Sequence, residues 1–366
     1  MDSLVLFFQS TTQKSWRDKL TGVYRFAREA GWQVQVVEAN SSPAAVRTML
    51  KIWQPIGCIV DRGLAAGREP TRIFGRTPLA FLDQRPPRRR GGGHSLVIHD
   101  SAASARCAAA ELLAAEVKNF TYVPWKKPAF WSDEREKAFA AAVRKAGSSY
   151  LRWTGSLSSL PRPCGVLCAN DMVAQQVLFE ARACGLKVPK DLLVVGIDND
   201  PLICENTQPT LTSVLPDFEN AGYQVAQLLA EAIEGKAPRL VVYGPVRIVR
   251  RESSRWLAKD DPRVTKALSF IKDHAFDHGL KSADVVEVMG CSRRLADLRF
   301  REATGHSIHD EVNSMRMERA FELLSNPRQA IGAIPALCGY ASEPFFKRLF
   351  KQTTGLSMRS WRKRHT

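Results

Sequence analysis

Over the first 250 residues of this 366-residue chain, short apolar runs alternate with amphipathic stretches, and that alternation restricts the fold more than any other feature. The runs are Leu4–Phe8, Val34–Val37, Ile56–Val60, Leu79–Leu82, Phe120–Val123, Gly165–Cys168 and Leu192–Ile197. Between most of them lie Ser15–Ala30, Pro43–Trp53, Ser101–Val117, Asp133–Ala146 and Asp171–Cys184. Strand and helix in regular succession predict parallel sheets covered by helices. Seven or more units exceed one small doubly wound domain, so a two-lobed α/β domain is expected. A helix at Glu219–Glu234 and strands at Leu240–Tyr243 and Val246–Arg250 are expected to finish the second lobe. After Arg255 the strand pattern stops. Residues 256–262 read as a linker between a front domain, 1–255, and an all-helical domain, 263–366. Asp261-Pro262 fits a helix start.

Charge is spread unevenly. Residues 263–366 hold 18 Lys/Arg against 11 Asp/Glu, a surplus of 7, while residues 1–262 hold 35 against 26, a surplus of 9. The shorter segment is therefore the more densely basic one, which favours polyanionic partners through counterion release. RPPRRRGGG, at 85–93, marks an exposed loop. No apolar run approaches the roughly 20 residues of a membrane helix. MDSLVLFFQS has no basic start and no small-residue cleavage site, and reads as a first strand rather than a secretion signal. The eight cysteines are scattered without a zinc-like double pair, which predicts buried free thiols in a reducing cytoplasm.

The last hundred residues contain a repeat. GCSRRLADLRFREATG begins at Gly290 and GYASEPFFKRLFKQTTG at Gly339; Ser292, Phe300 and Gly305 match Ser342, Phe350 and Gly355 at a spacing of 50. In each copy a short helix (Ala283–Met289; Ile331–Leu337) ends at a glycine, a serine caps the next helix, and a second glycine ends it. At about 100° per residue, Ala296, Phe300 and Ala303 share one face, and Phe346, Phe350 and Thr353 share the matching face. Both faces are expected to pack inward. On the other side cluster Arg293, Arg294, Asp297 and Arg301, and in the second copy Glu343, Pro344, Lys347 and Lys351, with Arg348 flanking. Polar, mostly basic faces at helix N-terminal ends are what a recognition helix brings to base edges in the major groove.

Ser292–Gly305, Met315–Pro327 and Cys338–Arg364 together resemble the AraC-type DNA-binding domain. The resemblance implies two helix-turn-helix units joined by one long helix, here about Ile308–Leu324. Ala296 stands where that family usually has leucine, which thins the core of the first unit.

Polar residues end several strands of the front domain: Asp61 after GCIV, Asp83 after LAFL, Asn170 and Asp171 after VLCA, and Asp198 after VVGI. Ligands of open parallel sheets bind beyond such ends. Carboxylates and an amide that accept from hydroxyls, with Arg135 donating and Trp16 and Trp131 offering flat faces, suit a neutral polyhydroxylated ligand. The same Asp and Asn types also cap helices that follow strands. CANDMVAQQVLFEARACGLKVPKDLLVVGIDND (168–200) and LTSVLPDFENAGYQVAQLLAEAIEG (211–235) resemble the periplasmic-binding-protein-like core of LacI-type repressors. By that likeness Asn170, Arg135 and Asp198 fall at the effector site. Ala138 departs from the Arg-x-x-Gly-aromatic motif of those repressors, while Phe139 keeps its aromatic. A LacI-type sensor followed by an AraC-type domain is the arrangement of the xylose-operon regulator group. FWSDEREKAF, VVGIDND, PVRIVRRESS and DPRVTKALSFIKDHA are similar to that group.

An enzyme is not expected. There is no G-x-x-x-x-G-K, no G-x-G-x-x-G after the first strand and no nucleophile elbow, and His274 and His278 have no ligand set around them. The resemblance implies a cytoplasmic, sugar-controlled transcription regulator, with activation or repression both open. Its expected partners are double-stranded operator DNA, a small sugar (xylose or a relative), a second copy of the chain and RNA polymerase, with no membrane and no cofactor. A sugar-binding protein without a regulatory role, and a regulator answering to a non-sugar metabolite, are the alternatives.

Overall fold

The computed structural model describes residues 3–9, 13–38, 41–61, 71–84, 93–115, 117–255 and 261–365. Two six-stranded sheets form the front domain. The chain opens with β1 (Ser3–Phe8), α1 (Lys14–Ala30), β2 (Trp32–Val37), α2 (Pro43–Trp53), β3 (Gly57–Val60), α3 (Thr71–Phe74), β4 (Leu79–Leu82) and β5 (Ser95–His99). It then crosses to the second lobe through α4 (Ser101–Leu113), β6 (Asn119–Val123), α5 (Phe130–Lys145), β7 (Ser149–Leu151), β8 (Cys164–Cys168), α6 (Asp171–Ala183), β9 (Leu192–Ile197), α7 (Pro201–Cys204) and β10 (Thr212–Pro216). It returns to the first lobe with α8 (Phe218–Ile233) and β11 (Leu240–Tyr243), and crosses once more to β12 (Pro245–Val249).

The first sheet runs β11-β5-β4-β3-β1-β2 and every pairing in it is parallel. The second runs β12-β10-β9-β8-β6-β7, with β12 antiparallel to β10. The expectation that Glu219–Glu234 and Leu240–Tyr243 finish the second lobe is therefore corrected. Leu240 pairs with Leu96, and α8 lies on β3, β4 and β5; only β12 belongs to the second lobe. Local spacing shows that a segment is a strand but not which sheet edge it joins. Three strands, β5, β7 and β10, lie outside the apolar-run pattern: β7 is three residues long, and β5 and β10 begin and end on polar residues or proline.

In the first lobe α1 and α8 cross at their glycines. A Cβ on Gly22 would lie 1.9 Å from the carbonyl oxygen of Glu219, and one on Gly222 would lie 1.8 Å from that of Lys19. Only glycine permits this approach.

The helical domain contains α9 (Pro262–His274), α10 (Ser282–Met289), α11 (Arg293–Thr304), α12 (Ile308–Ser325), α13 (Ile334–Leu337), α14 (Glu343–Thr354) and α15 (Met358–His365). Asp261 caps α9 by accepting from the Arg263 amide at 2.9 Å. The four repeat glycines, 290, 305, 339 and 355, all sit at positive φ. The two serines differ. Ser342 accepts from the Phe345 amide at 3.3 Å, whereas Ser292 holds the cap position without a side-chain bond. The first half of α12 (Ile308, Val312) packs with Phe300 and Met289, and its second half (Met317, Phe321) with Phe346 and Phe350, so one helix serves two cores.

This domain docks on β12. Arg247 Nη1 donates to Glu318 at 3.0 Å while its guanidinium lies 4.5 Å over the Phe321 ring. Arg255 pairs with Glu311 at 2.9 Å and Lys272 with Glu252 at 3.0 Å. Residues 256–260 of the expected linker and 85–92 of the arginine-rich loop lie outside the described residues. All eight cysteines are free. Five are buried, but Cys184 is exposed, against expectation. Burial pushes the Cys58 and Cys164 thiols up to about 12, so neither forms a thiolate at neutral pH.

Candidate functional site

The strands of both sheets end toward the crossovers, and a chain of polar side chains runs there from one lobe to the other. It starts at Lys19, which α1 buries to 1% exposure. Its ammonium lies 3.1 Å from Asp61 and 2.6 Å from Asp83. Asp83 also accepts from the Tyr243 hydroxyl at 2.8 Å and from the His99 amide at 2.9 Å. The His99 ring stacks on Tyr243 with centroids 5.0 Å apart. Its Nε2 bonds Ser104 at 2.8 Å, and its Nδ1 faces Arg135 Nη2 at 3.2 Å. Arg135, on α5 of the second lobe, donates to the Ala169 carbonyl and lies 4.8 Å over the Trp131 ring. Gln13 reaches Met172 at 3.2 Å, a second contact between the lobes.

The expected effector residues thus divide. Arg135 and Trp131 form one unit in the second lobe. Asn170 lies beside them, caps α6 by accepting from the Val173 amide at 3.0 Å, and keeps its amide NH₂ as a potential donor. Asp198 follows β9 with φ +121 and Asn199 follows at φ +49. Two consecutive non-glycine residues in that region are strained, and such strain gathers at ligand sites. Neighbouring Asp171 is fully buried and does not face the cleft. Burial raises its pKa, while the Ser213 hydroxyl and Asp200 amide that bind it oppose the rise. Trp16 is half-buried on α1, and its carbonyl accepts from Gln9 at 2.7 Å. Asp61 and Asp83, expected to ring the open end, are buried to 0% and 1% exposure and face Lys19 instead. The lysine offers a charge partner inside the lobe that solvent-side placement would forgo.

Sequence reasoning missed Gln9, Lys19, His99, Ser101 and Tyr243. Gln9 follows β1 as Asp61 follows β3, so the strand-end rule would have found it. His99 and Ser101 flank the end of β5, a strand that was overlooked. Gln9 Oε1 and Ser101 Oγ are buried and, among the described residues, have no hydrogen-bond partner. Both therefore offer a hydroxylated ligand a bond that costs no existing one.

On the helical domain, Arg293, Arg294, Arg301, Glu343, Pro344, Lys347, Arg348 and Lys351 are all exposed and Asp297 is half-buried. Arg293 lies 3.9 Å from Asp297, and Lys347 2.6 Å from Glu343, one turn apart in each helix. The acids thus sit where they orient the bases of the same face. Ala296, Phe300, Ala303, Phe346 and Phe350 are buried as expected. Thr353 is not: it is exposed, and its hydroxyl bonds the Leu349 carbonyl at 2.9 Å. Thr353 borders open space between the helical domain and β12 instead of packed side chains.

No group of three His, Cys, Asp or Glu among the described residues could hold a metal ion, and no helix there is long and apolar enough to cross a membrane.

Residues 109–254 match the model of a periplasmic binding protein-like domain, and residues 285–364 that of a helix-turn-helix domain. The xylose operon regulatory protein of Escherichia coli K12 is 29% identical over 251 residues, covering 63% of this chain and 64% of that protein. The Haemophilus influenzae protein of the same name is 28% identical over 251 residues, covering 63% and 65%. The chain thus spans just under two thirds of the length of these relatives. The solved structure of a xylose-binding transcription activator superposes with a TM-score of 0.59 at 22% identity, covering 99% of this chain and 98% of that one. The likeness in fold therefore includes the order of the two domains.

Proposed function

From a chain that joins a periplasmic-binding-protein-like domain to a C-terminal helix-turn-helix domain, and that is homologous to the xylose operon regulatory proteins, we propose a DNA-binding transcription regulator controlled by a small sugar. Residues 1–255 serve as the effector unit and 263–366 as the DNA reader, with 256–262 between them. The observation that carries this reading is the pair of exposed basic faces on α11 and α14, held on a common helix and docked against the last strand of a two-lobed cleft domain.

Arg135, Asn170 and Asp198 bond the sugar hydroxyls, and Trp131 and Trp16 line its apolar faces. Asp61 and Asp83 support the wall through Lys19 rather than touching the sugar. Xylose is the first candidate, because the similar regulators are named for it. Sugar between the lobes favours their closure, and β12 passes the motion to the reader. Such coupling requires different sugar affinity in the DNA-competent and incompetent states, and it is reciprocal. The active species is a homodimer in the cytoplasm, and an activator of this kind contacts RNA polymerase.

Selection from random duplexes tests the reading. It is expected to enrich a site with two recognition elements about one helical turn apart. Arg294→Ala and Lys347→Ala are each expected to weaken that site by about 1–3 kcal/mol in fluorescence anisotropy. Recovery of no preferred sequence, with both variants binding like the parent, would remove the regulator reading. An operator affinity that stays constant under saturating pentoses and hexoses would leave a DNA-binding protein without this effector class.

A further inference from the structure

Between the third lobe crossover and the helical domain lies a cavity of about 680 Å³ that the effector cleft does not include. Its volume falls in the range of small-molecule pockets, which favour domain boundaries, and is far beyond what one bridging water occupies. Three observations define what it would hold.

The first is unmet hydrogen bonding. Gln224 Oε1, on α8, and Arg247 Nε, on β12, are buried at the cavity and have no hydrogen-bond partner among the described residues. One lacks a donor and the other an acceptor, and a hydroxyl supplies both. Asn220 and Ser314 line the same space with further capacity of both kinds. The second is charge. The lining cations already have partners: Arg247 meets Glu318 at 3.0 Å and Arg250 meets Glu111 at 2.6 Å. Burial keeps the Glu318 carboxyl above its ordinary range even with Arg247 beside it. With both cations already neutralised by carboxylates, a charged ligand would find no unbalanced opposite charge there, and a neutral one needs none. The third is apolar surface. Phe321, Leu356 and Trp361 line the side formed by the helical domain.

We propose that this cavity is a second ligand site, taking a small neutral polyhydroxylated molecule with one apolar face, whose binding holds the helical domain against the hinge. The site stands apart from the cleft, but its regulatory use rests on the regulator reading. Tyr243 borders the cavity and also donates to Asp83 in the cleft wall, so one side chain is common to both. Occupation of either site is therefore expected to alter affinity at the other, equally in both directions.

Titration calorimetry on the full chain, with D-xylose, xylitol and myo-inositol as probes, tests this in two backgrounds. Arg135→Ala disables the cleft. Thr353→Trp fills the cavity from an exposed position on α14, and Gln224→Leu removes the cavity acceptor at similar size. For at least one probe, a binding component should survive Arg135→Ala and fall tenfold or more in both cavity variants. If Arg135→Ala abolishes all binding and both cavity variants titrate like the parent, the cavity proposal fails and the cleft reading stands. Binding lost only in the cavity variants keeps the proposal and removes the cleft reading. No heat from any probe with the parent chain overturns the ligand class proposed here.

Discussion

Lys19 shows how much one side chain can carry without announcing itself. It sits in the second turn of α1, 42 residues before Asp61, within an amphipathic stretch that carries several charges. Asp61 and Asp83 were legible as carboxylates at strand ends; the cation between them was not, because only the packing of α8 over α1 encloses it. Removing one partner of a buried ion pair leaves an uncompensated charge, at a cost of about 3–5 kcal/mol. Lys19→Met is expected to lower the unfolding free energy in urea by that amount, and a loss under 1 kcal/mol would refute the role. Glu311 gives a pH-dependent counterpart. Burial disfavours its charged form, but the His306 hydrogen bond and the Arg255 charge outweigh this and hold the carboxyl below its ordinary range. A carboxyl lowered in the folded state stabilises fully above its unfolded pKa, about 4.3, and loses that stability as pH falls through the folded value. The stability gap between the parent and Glu311→Gln should narrow as the pH falls below about 4.3. A gap that persists unchanged to pH 3 would count against it.

At the level of elements, the repeat is the most legible part of the chain. Both glycine pairs, the helices α11 and α14 and the long joining helix lie where the sequence pattern predicts, because helix signals are local. The copies nevertheless differ in detail. Ser342 makes a capping bond and Ser292 makes none. Ser342→Ala should therefore cost about 1 kcal/mol, and Ser292→Ala a few tenths; thermal unfolding of the two variants reads the difference, and equal losses would contradict it. Sheet membership was the less legible part. The period of a strand says nothing about its neighbours, so α8 and β11 were placed in the wrong lobe. The cleft was legible as a ring of polar strand ends, but its second layer of Lys19, His99 and Tyr243 depends on pairings that bring residues 19, 61, 83, 99 and 243 together.

For the molecule as a whole, domain order and the dense positive charge of the last hundred residues were visible in the chain, whereas the seam between the domains was not. Arg247 and Glu318 are unremarkable surface-type residues until β12 and α12 meet. The first lobe is also discontinuous, since five of its strands precede β6 and its sixth, β11, follows β10. That ordering has a consequence during synthesis. At about 5–20 residues per second, the ribosome needs roughly 7–30 s to extend from His99 to Tyr243. Throughout that interval β5 is an open edge, and for most of it α1 lacks α8. At this stage the second lobe lacks only its edge strand β12, whereas the first lacks both its edge strand β11 and the helix α8 that covers β3, β4, β5 and α1, so the second lobe can close first. Nascent chains stalled with 216 residues outside the tunnel should therefore resist protease across 101–216 and be cut within 1–99, while chains stalled past residue 243 resist in both. Early protection of the first hundred residues would contradict this order. In the cell, the interval marks the stage at which this protein most needs a holding chaperone.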